Sequence, residues 1–102
     1  MALSQATLTT SAANVYASTG NTAVTTMYFC NYSGSDVTAT VYLVPSGGSA
    51  SDSNIVYKQI PIAASDTYII DTERLVLGNG DMIKALCSSN SSLTATVSYV
   101  GV

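Results

Sequence analysis

Aliphatic or aromatic side chains alternate with small hydroxyl-bearing side chains along the stretch Leu93-Thr94-Ala95-Thr96-Val97-Ser98-Tyr99. Successive side chains of a β-strand point to opposite faces of a sheet, so this stretch predicts a strand with one buried face and one face of hydroxyl groups. Residues 37–44 repeat the pattern, because their first, third, fifth and seventh side chains are all aliphatic. No segment carries the apolar stripe that predicts an amphipathic helix. The sequence therefore predicts an all-β protein.

The same alternation predicts which side chains form the core. The expected inward-facing set is Val37, Ala39, Val41, Leu43, Ile83, Ala85, Leu93, Ala95 and Val97. The register stays open in the segment 22–32, where either Met27 and Phe29 or Tyr28 and Cys30 could face the interior. A shift of one residue exchanges the two faces of a strand, so the two registers predict opposite surfaces.

Turn-forming residues separate the predicted strands at short intervals. Further strands are expected near residues 15–18 and over residues 22–32, 54–63 and 67–71. The sequence Gly78-Asn79-Gly80-Asp81 is the strongest turn signal, because glycine and asparagine tolerate the positive φ that a tight reversal needs.

Seven or eight short strands in a chain of 102 residues predict a single domain over residues 1–102. We expect an antiparallel β-sandwich of jelly-roll or immunoglobulin-like topology. The segment 45–53, rich in glycine and serine, is expected to be the one long loop. Pro61 is expected at a sheet edge or a bulge, because proline cannot donate a backbone hydrogen bond to a neighbouring strand.

Charge is scarce in this sequence. Charged residues make up 9% of the chain and hydrophobic residues 47%, whereas an ordinary soluble domain has about 25% charged residues. The basic residues Lys58, Arg74 and Lys84 are dispersed along the sequence. Binding to a nucleic-acid backbone or to an anionic membrane surface needs several cations on one face. We therefore expect neither nucleic acid nor a membrane as a partner.

Residues 1–6 lack the basic and apolar parts of a secretory signal, so synthesis in a cytoplasm is expected.

Catalytic chemistry has few candidate residues here. The chain contains no histidine, which is the commonest general base and metal ligand. The carboxylates Asp66, Asp71, Glu73 and Asp81 lie within one stretch and could serve a glycosidase or bind Ca²⁺. Most of them occupy turn-like contexts, where aspartate accepts hydrogen bonds from the backbone. We expect turn capping, and we predict no catalytic, cofactor-binding or metal-binding residues and no enzymatic activity.

The two cysteines, Cys30 and Cys87, lie far apart in the sequence and both fall within predicted strands. In a reducing compartment we expect two reduced, buried thiols that pack as small hydrophobic side chains. The alternative is an inter-sheet disulfide of the immunoglobulin type, against which the absence of tryptophan counts.

Two sequence patterns concern the surface. Asn31-Tyr32-Ser33 and Asn90-Ser91-Ser92 match the acceptor pattern for N-glycosylation, and we expect both matches to be coincidental. Seven tyrosines are a large number for a domain of this size. Tyrosines on the surface favour either a subunit interface or a sugar-stacking face, because the ring is apolar while the hydroxyl group stays hydrated.

Three parts of the sequence carry a family resemblance: Thr19-Gly20-Asn21-Thr22-Ala23-Val24 through Cys30-Asn31-Tyr32-Ser33, then Val41-Tyr42-Leu43-Val44-Pro45, and Leu75-Val76-Leu77-Gly78-Asn79-Gly80-Asp81. Together with the final alternating strand, they resemble the small β-sandwich structural proteins of tailed bacteriophage particles. The resemblance covers nearly the whole chain and implies a virion component in symmetric copies. Its implied location is the capsid surface, as decoration or cement, or the neck or tail. The implied partners are other virion proteins and copies of itself, and no catalytic residue or cofactor is implied.

The expected function is accordingly that of a non-catalytic structural subunit of a virion, which docks through an exposed edge strand or an apolar patch. The alternative is a carbohydrate-binding or adhesin-like domain of a fibre that contacts the host surface. Exposed aromatic rings in a shallow groove beside amide or carboxylate groups would favour the alternative. Apolar and aromatic side chains spread over separate patches would favour a structural subunit.

Overall fold

The computed structural model describes residues 2–70 and 75–102, and these residues form nine β-strands and one short 3-10 helix. The strands are β1 (Ala2–Thr7), β2 (Ala13–Ala17), β3 (Thr22–Asn31), β4 (Val37–Val44), β5 (Ile55–Ile62), β6 (Thr67–Ile70), β7 (Leu75–Leu77), β8 (Met82–Cys87) and β9 (Leu93–Gly101). The 3-10 helix, Asp52–Asn54, lies in the connection between β4 and β5.

Two antiparallel sheets pack face to face. The large sheet has the order β1-β9-β3-β6, and β7 also pairs with β3. The small sheet has the order β2-β8-β4-β5. Because β9 occupies one edge of β3, β6 and β7 both lie along its other edge, beside residues 27–30 and 22–24 respectively. The all-β sandwich predicted from the alternating strands is therefore confirmed.

The connections identify the topology of the sandwich. With β6 and β7 counted together, each sheet has four positions, and the chain crosses between the sheets at every connection except the one from β4 to β5. This arrangement is that of a jelly roll. An immunoglobulin-like sandwich has the sheets ABED and CFG and joins several neighbouring strands within one sheet. The structure therefore selects the jelly roll from the two topologies that the sequence left open.

The core resolves the register of β3. Met27 and Phe29 are buried, whereas Tyr28 and Cys30 are exposed. The cause lies in strand pairing, because Phe29 stands opposite Ala95 of β9, which is itself buried. The alternation of β9 thus determines which face of its neighbour turns inward.

This register corrects one expectation about the cysteines. Cys30 and Cys87 are both free, as predicted, but only Cys87 is buried. The prediction of two buried thiols is wrong for Cys30, because the inward positions of β3 belong to Met27 and Phe29. Cys30 lies on the outer face of the large sheet, opposite Thr67 and Thr94.

The predicted core set is confirmed apart from one residue. Its members are buried except Leu43, which is only half-buried. Leu43 lines an open cavity of about 230 Å³ at the side of the sandwich, together with Met27 and Leu75. Val44, on the opposite face of β4, is almost fully buried, because Gly48 of the following loop packs against it.

Strand β1 was not predicted, and it accounts for part of the difference between nine strands and the seven or eight expected. Its residues are mostly small or polar, so they give only a weak strand signal. All six of them pair in continuous register with β9, the strand of clearest alternation. The strand therefore depends on a partner that lies at the other end of the sequence.

Pro61 occupies the position expected for proline. It lies on β5, which is an edge strand of the small sheet and shifts register opposite residues 39–42. The shift includes Gln59, which has a φ of 54°. Because β5 is an edge strand, the missing N–H of Pro61 does not interrupt the hydrogen bonds between central strands.

Candidate functional site

Charge is distributed unequally between the two sheets. The strands of the large sheet, within the bounds that the structure describes, contain no Asp, Glu, Lys or Arg. The small sheet carries Lys58 on β5 and Lys84 on β8. The described aspartates lie in the connections between strands or in the 3-10 helix. The charged side chains of the described strands therefore all belong to the small sheet.

The outer face of the large sheet can be followed strand by strand. One row of directly opposed residues runs across four strands through Gln5, Thr96, Tyr28 and Ile69. Tyr28 is 39% exposed and Ile69 51% exposed. Near the end of the sheet, Val76 is 72% exposed. Apolar side chains and hydroxyl groups thus share one open face.

The outer face of strand β4, in the small sheet, is covered by its own chain. The side chains of Thr40, Tyr42 and Val44 point to this face, yet all three are buried. Gln59 donates its backbone N–H to Thr40 Oγ1 at 3.2 Å. The connection 45–54 contributes Gly48, whose position lies against Val44. Lys84 of β8 also points to this face and is half-buried, so the outer face of the small sheet carries a charged side chain. The described strands of the large sheet carry none, which makes the large sheet the better candidate for contact with another molecule.

Two of the carboxylates that the sequence offered as candidates for catalysis or Ca²⁺ binding instead cap turns. Asp66 accepts a hydrogen bond from the N–H of Thr67 at 2.8 Å. Asp81 accepts from the N–H of Ser46 at 3.0 Å through Oδ1 and from the N–H of Gly78 at 2.9 Å through Oδ2. Turn capping is thus confirmed for these two residues.

The two described candidates do not come together in one site. Asp66 lies between β5 and β6, and Asp81 between β7 and β8, at opposite ends of the jelly roll. Asp71 and Glu73 lie outside the described residues. Within residues 2–70 and 75–102, no three Cys, Asp or Glu residues come together to hold a metal ion.

A depression of about 350 Å³ lies at one end of the sandwich, lined in part by Asp36, Asp66, Thr38 and Ser88. Asp36 accepts a hydrogen bond from the N–H of Ala64 at 2.9 Å, so it too secures a connection. The lining of this depression, among the described residues, includes no aromatic ring. The exposed tyrosines therefore do not line this depression, whereas a sugar-stacking groove needs an aromatic ring in its lining.

Asn31 secures the end of the sandwich where this depression lies. Its side chain is fully buried, and Nδ2 donates to the carbonyl oxygens of Ser35, Ile62 and Ala63 at 2.8, 3.1 and 3.2 Å. Its Oδ1 accepts from the N–H and the hydroxyl group of Ser33. An oligosaccharide cannot be attached to this amide in the folded chain. The Asn31 amide thus has a structural role, and the coincidental nature of its match to the glycosylation pattern stays a prediction.

The candidate contact residues that the sequence indicated least clearly are those of the outer face of the large sheet. The sequence left the orientation of Tyr28 open and gave no prediction for Val76. The sequence does show that residues 22–32 and 93–102 contain no charged side chain, and this feature could have indicated an uncharged face. What it does not show is that these segments are neighbours in one sheet.

In the described part of the chain, no helix has the length and apolar character required to cross a membrane. Searches of protein-family models, of curated proteins and of solved structures found no match to this chain.

Proposed function

We propose that this protein is a non-catalytic structural subunit of a tailed-bacteriophage virion, held by contacts at the capsid surface, the neck or the tail. The observation that carries the proposal is the open, uncharged outer face of the large sheet, crossed by the row from Gln5 to Ile69. The function is contact, and the contacting surface is this face.

Burial of this face against a partner is energetically favourable. Charged groups lose hydration when they are buried, and each unpaired charge costs several kcal/mol. The strands of this face contain no such group, so a partner gains the apolar contacts of Tyr28, Ile69 and Val76 without that penalty. Cores of interfaces are depleted in charge and enriched in aromatic side chains, which matches this composition.

The assignment to a virion rests on the family resemblance in the sequence and on an analogy of fold. Jelly rolls occur in viral capsid proteins and also in lectins. Fold alone does not determine function, so the analogy is compatible with the carbohydrate-binding alternative as well. The lack of an aromatic ring among the described residues that line the depression with Asp36 and Asp66 favours the structural role.

The test is the composition of purified particles. We expect the 102-residue chain to remain with virions through density-gradient purification, at a fixed copy number per particle, as measured by quantitative mass spectrometry. A glycan array probed with the same chain is expected to show no saturable binding. Absence from particles, combined with binding to a defined glycan that Tyr28→Ala or Tyr32→Ala abolishes, would replace this proposal with the carbohydrate-binding alternative.

A further inference from the structure

The edges of the two sheets differ in how they are protected against pairing with another strand. Natural proteins protect edge strands with charge, proline, bulges or short length. In the small sheet, β5 carries Lys58, Pro61 and register shifts, and β2 has a bulge between Asn14 and Tyr16. In the large sheet, β6 has only four residues. Strand β1 has six residues in continuous register with β9 and shows none of these features.

The backbone groups of β1 that face the open edge can be identified. Leu8, one residue beyond the strand, donates its N–H to the carbonyl oxygen of Leu93, in the same register as the β1–β9 pairs. Hydrogen-bonded and non-hydrogen-bonded pairs alternate along an antiparallel ladder. Ala2, Ser4 and Ala6 therefore bond to β9, whereas the N–H and C=O groups of Leu3, Gln5 and Thr7 point to the open edge.

We propose that β1 pairs antiparallel with β1 of a second copy of this chain, about a twofold axis that passes beside Gln5. The proposal rests on the structural role proposed above and names the copy-to-copy contact. Gln5 stands opposite Gln5 of the second copy, and Leu3 stands opposite Thr7. The two large sheets join into one continuous sheet across the dimer.

This register follows from two constraints. Paired residues must share a face, so outward-facing residues must stand opposite outward-facing residues. Pairing must also satisfy the largest number of free backbone groups. Centring the axis beside Gln5 meets both conditions, because Leu3, Gln5 and Thr7 of each copy all enter hydrogen-bonded pairs, with roughly six hydrogen bonds in all.

A second copy of the chain is the partner because two β1 strands can pair without electrostatic repulsion. Residues 2–7 carry no charged side chain, so the pairing brings no like charges together, although the chain as a whole has a net charge of −3. The face that continues across the joint is uncharged on both sides. An isologous contact also leaves neither copy with an open β1 edge.

Disulfide trapping tests the register directly. In a Cys30→Ser background, which removes the exposed thiol, Gln5→Cys places two cysteines in a hydrogen-bonded pair with Cα atoms about 5.5 Å apart, within reach of a disulfide. Leu3→Cys in the same background is the matched control, because its two copies would lie more than about 13 Å apart. We expect oxidised glutathione to trap the Gln5→Cys dimer at least about tenfold faster than the Leu3→Cys dimer. Equal rates would overturn the proposed register.

A charge variant tests the contact itself. Analytical ultracentrifugation of the unmodified chain is expected to show a monomer–dimer equilibrium, and Gln5→Lys is expected to raise the dissociation constant at least about tenfold by placing two cations together. Ser49→Lys, an exposed change in the connection between β4 and β5, is the control of equal charge and is expected to leave the equilibrium unchanged. A chain that stays monomeric at millimolar concentration would overturn the pairing. If the chain is monomeric but present in purified particles, the structural role is still supported and only the pairing is refuted. If the chain forms a dimer but is absent from particles, only the structural role is refuted.

Discussion

Tyr28 on β3 and Ile69 on β6 stand directly opposite each other in the large sheet, and both side chains point away from the core. Cross-strand pairs of an aromatic and a β-branched residue stabilise a sheet by about 0.2–1 kcal/mol. A buried pair would stabilise the sheet as well, so sheet stability does not explain why Tyr28 and Ile69 are exposed. Their exposure, in a face without charge, is the basis of the proposed contact surface.

Replacement of Ile69 by lysine is expected to separate folding from assembly. Ile69→Lys introduces a charge into the uncharged face and should reduce incorporation into particles by about tenfold or more, since a buried unpaired charge is costly. The free energy of unfolding should fall by no more than about 1 kcal/mol, because the side chain is on the surface. Quantitative mass spectrometry of purified particles measures the first effect, and chemical denaturation the second.

The matched control for this variant is Val56→Lys. Val56 is an exposed aliphatic residue on β5 of the small sheet. Incorporation of this variant should equal that of the unmodified protein. If both lysine variants were incorporated normally, the large sheet would not be the contact surface.

A buried carboxylate in either sheet is expected to prevent folding. Val41 lies on β4 and Val97 on β9, and both are almost fully buried. Val41→Asp or Val97→Asp places an unpaired charge in the core at a cost of several kcal/mol, against a total stability of roughly 5–15 kcal/mol. Circular dichroism should show loss of the cooperative melting transition, whereas Val76→Asp, an exposed change, should melt like the parent. Normal melting of both core variants would refute the assigned inner faces.

Loss of the Asn31 side chain is expected to loosen one end of the sandwich. Asn31→Ala removes the donor to three carbonyl oxygens, two of them from residues 62 and 63, and should lower the free energy of unfolding by about 2–4 kcal/mol. Asn90→Ala is the control, because Asn90 is exposed and its side chain accepts one hydrogen bond, from the N–H of Thr10. That variant should lose about 1 kcal/mol or less in urea denaturation. Similar losses in the two variants would contradict the structural role of Asn31.

The two cysteines are expected to differ in reactivity. Cys30 is exposed, whereas Cys87 is buried and its thiol donates to the carbonyl oxygen of Ser89. A thiol reagent should modify one group rapidly in the native protein and the second only in denaturant, because thiol modification requires access. Cys30→Ser should remove the fast phase completely. A fast phase that persisted in that variant would show that Cys87 is accessible.

The fold was predictable where apolar side chains alternate with small hydroxyl-bearing side chains along a strand. The predicted strand at 37–44 coincides with β4, and the alternation of residues 93–99 lies within β9. The faces of β3 could not be assigned, because Met27 and Phe29 alternate with side chains that are also largely apolar. Their orientation depends on pairing with β9, some 65 residues later in the chain. Strand β1 was not predicted for a related reason: within the described residues, β9 is the only strand that pairs with it, and β9 lies at the other end of the sequence.

The candidate site was predictable in composition but not in position. The scarcity of charge is visible in the sequence, and so is the turn-capping role of Asp66 and Asp81. The cover that Gly48 gives to Val44 is not visible, because it depends on how the connection 45–54 folds. The assembly of uncharged strands into one face is likewise a consequence of tertiary structure.

The most direct test of the structural role is a reconstruction of the purified particle at a resolution that shows side chains. We expect the outer face of the large sheet to be covered by neighbouring subunits, with Tyr28 and Ile69 near the centre of an interface that buries more than about 1,000 Å² in total. A particle in which this chain is present but its large sheet faces solvent, or a particle that lacks the chain, would contradict the account.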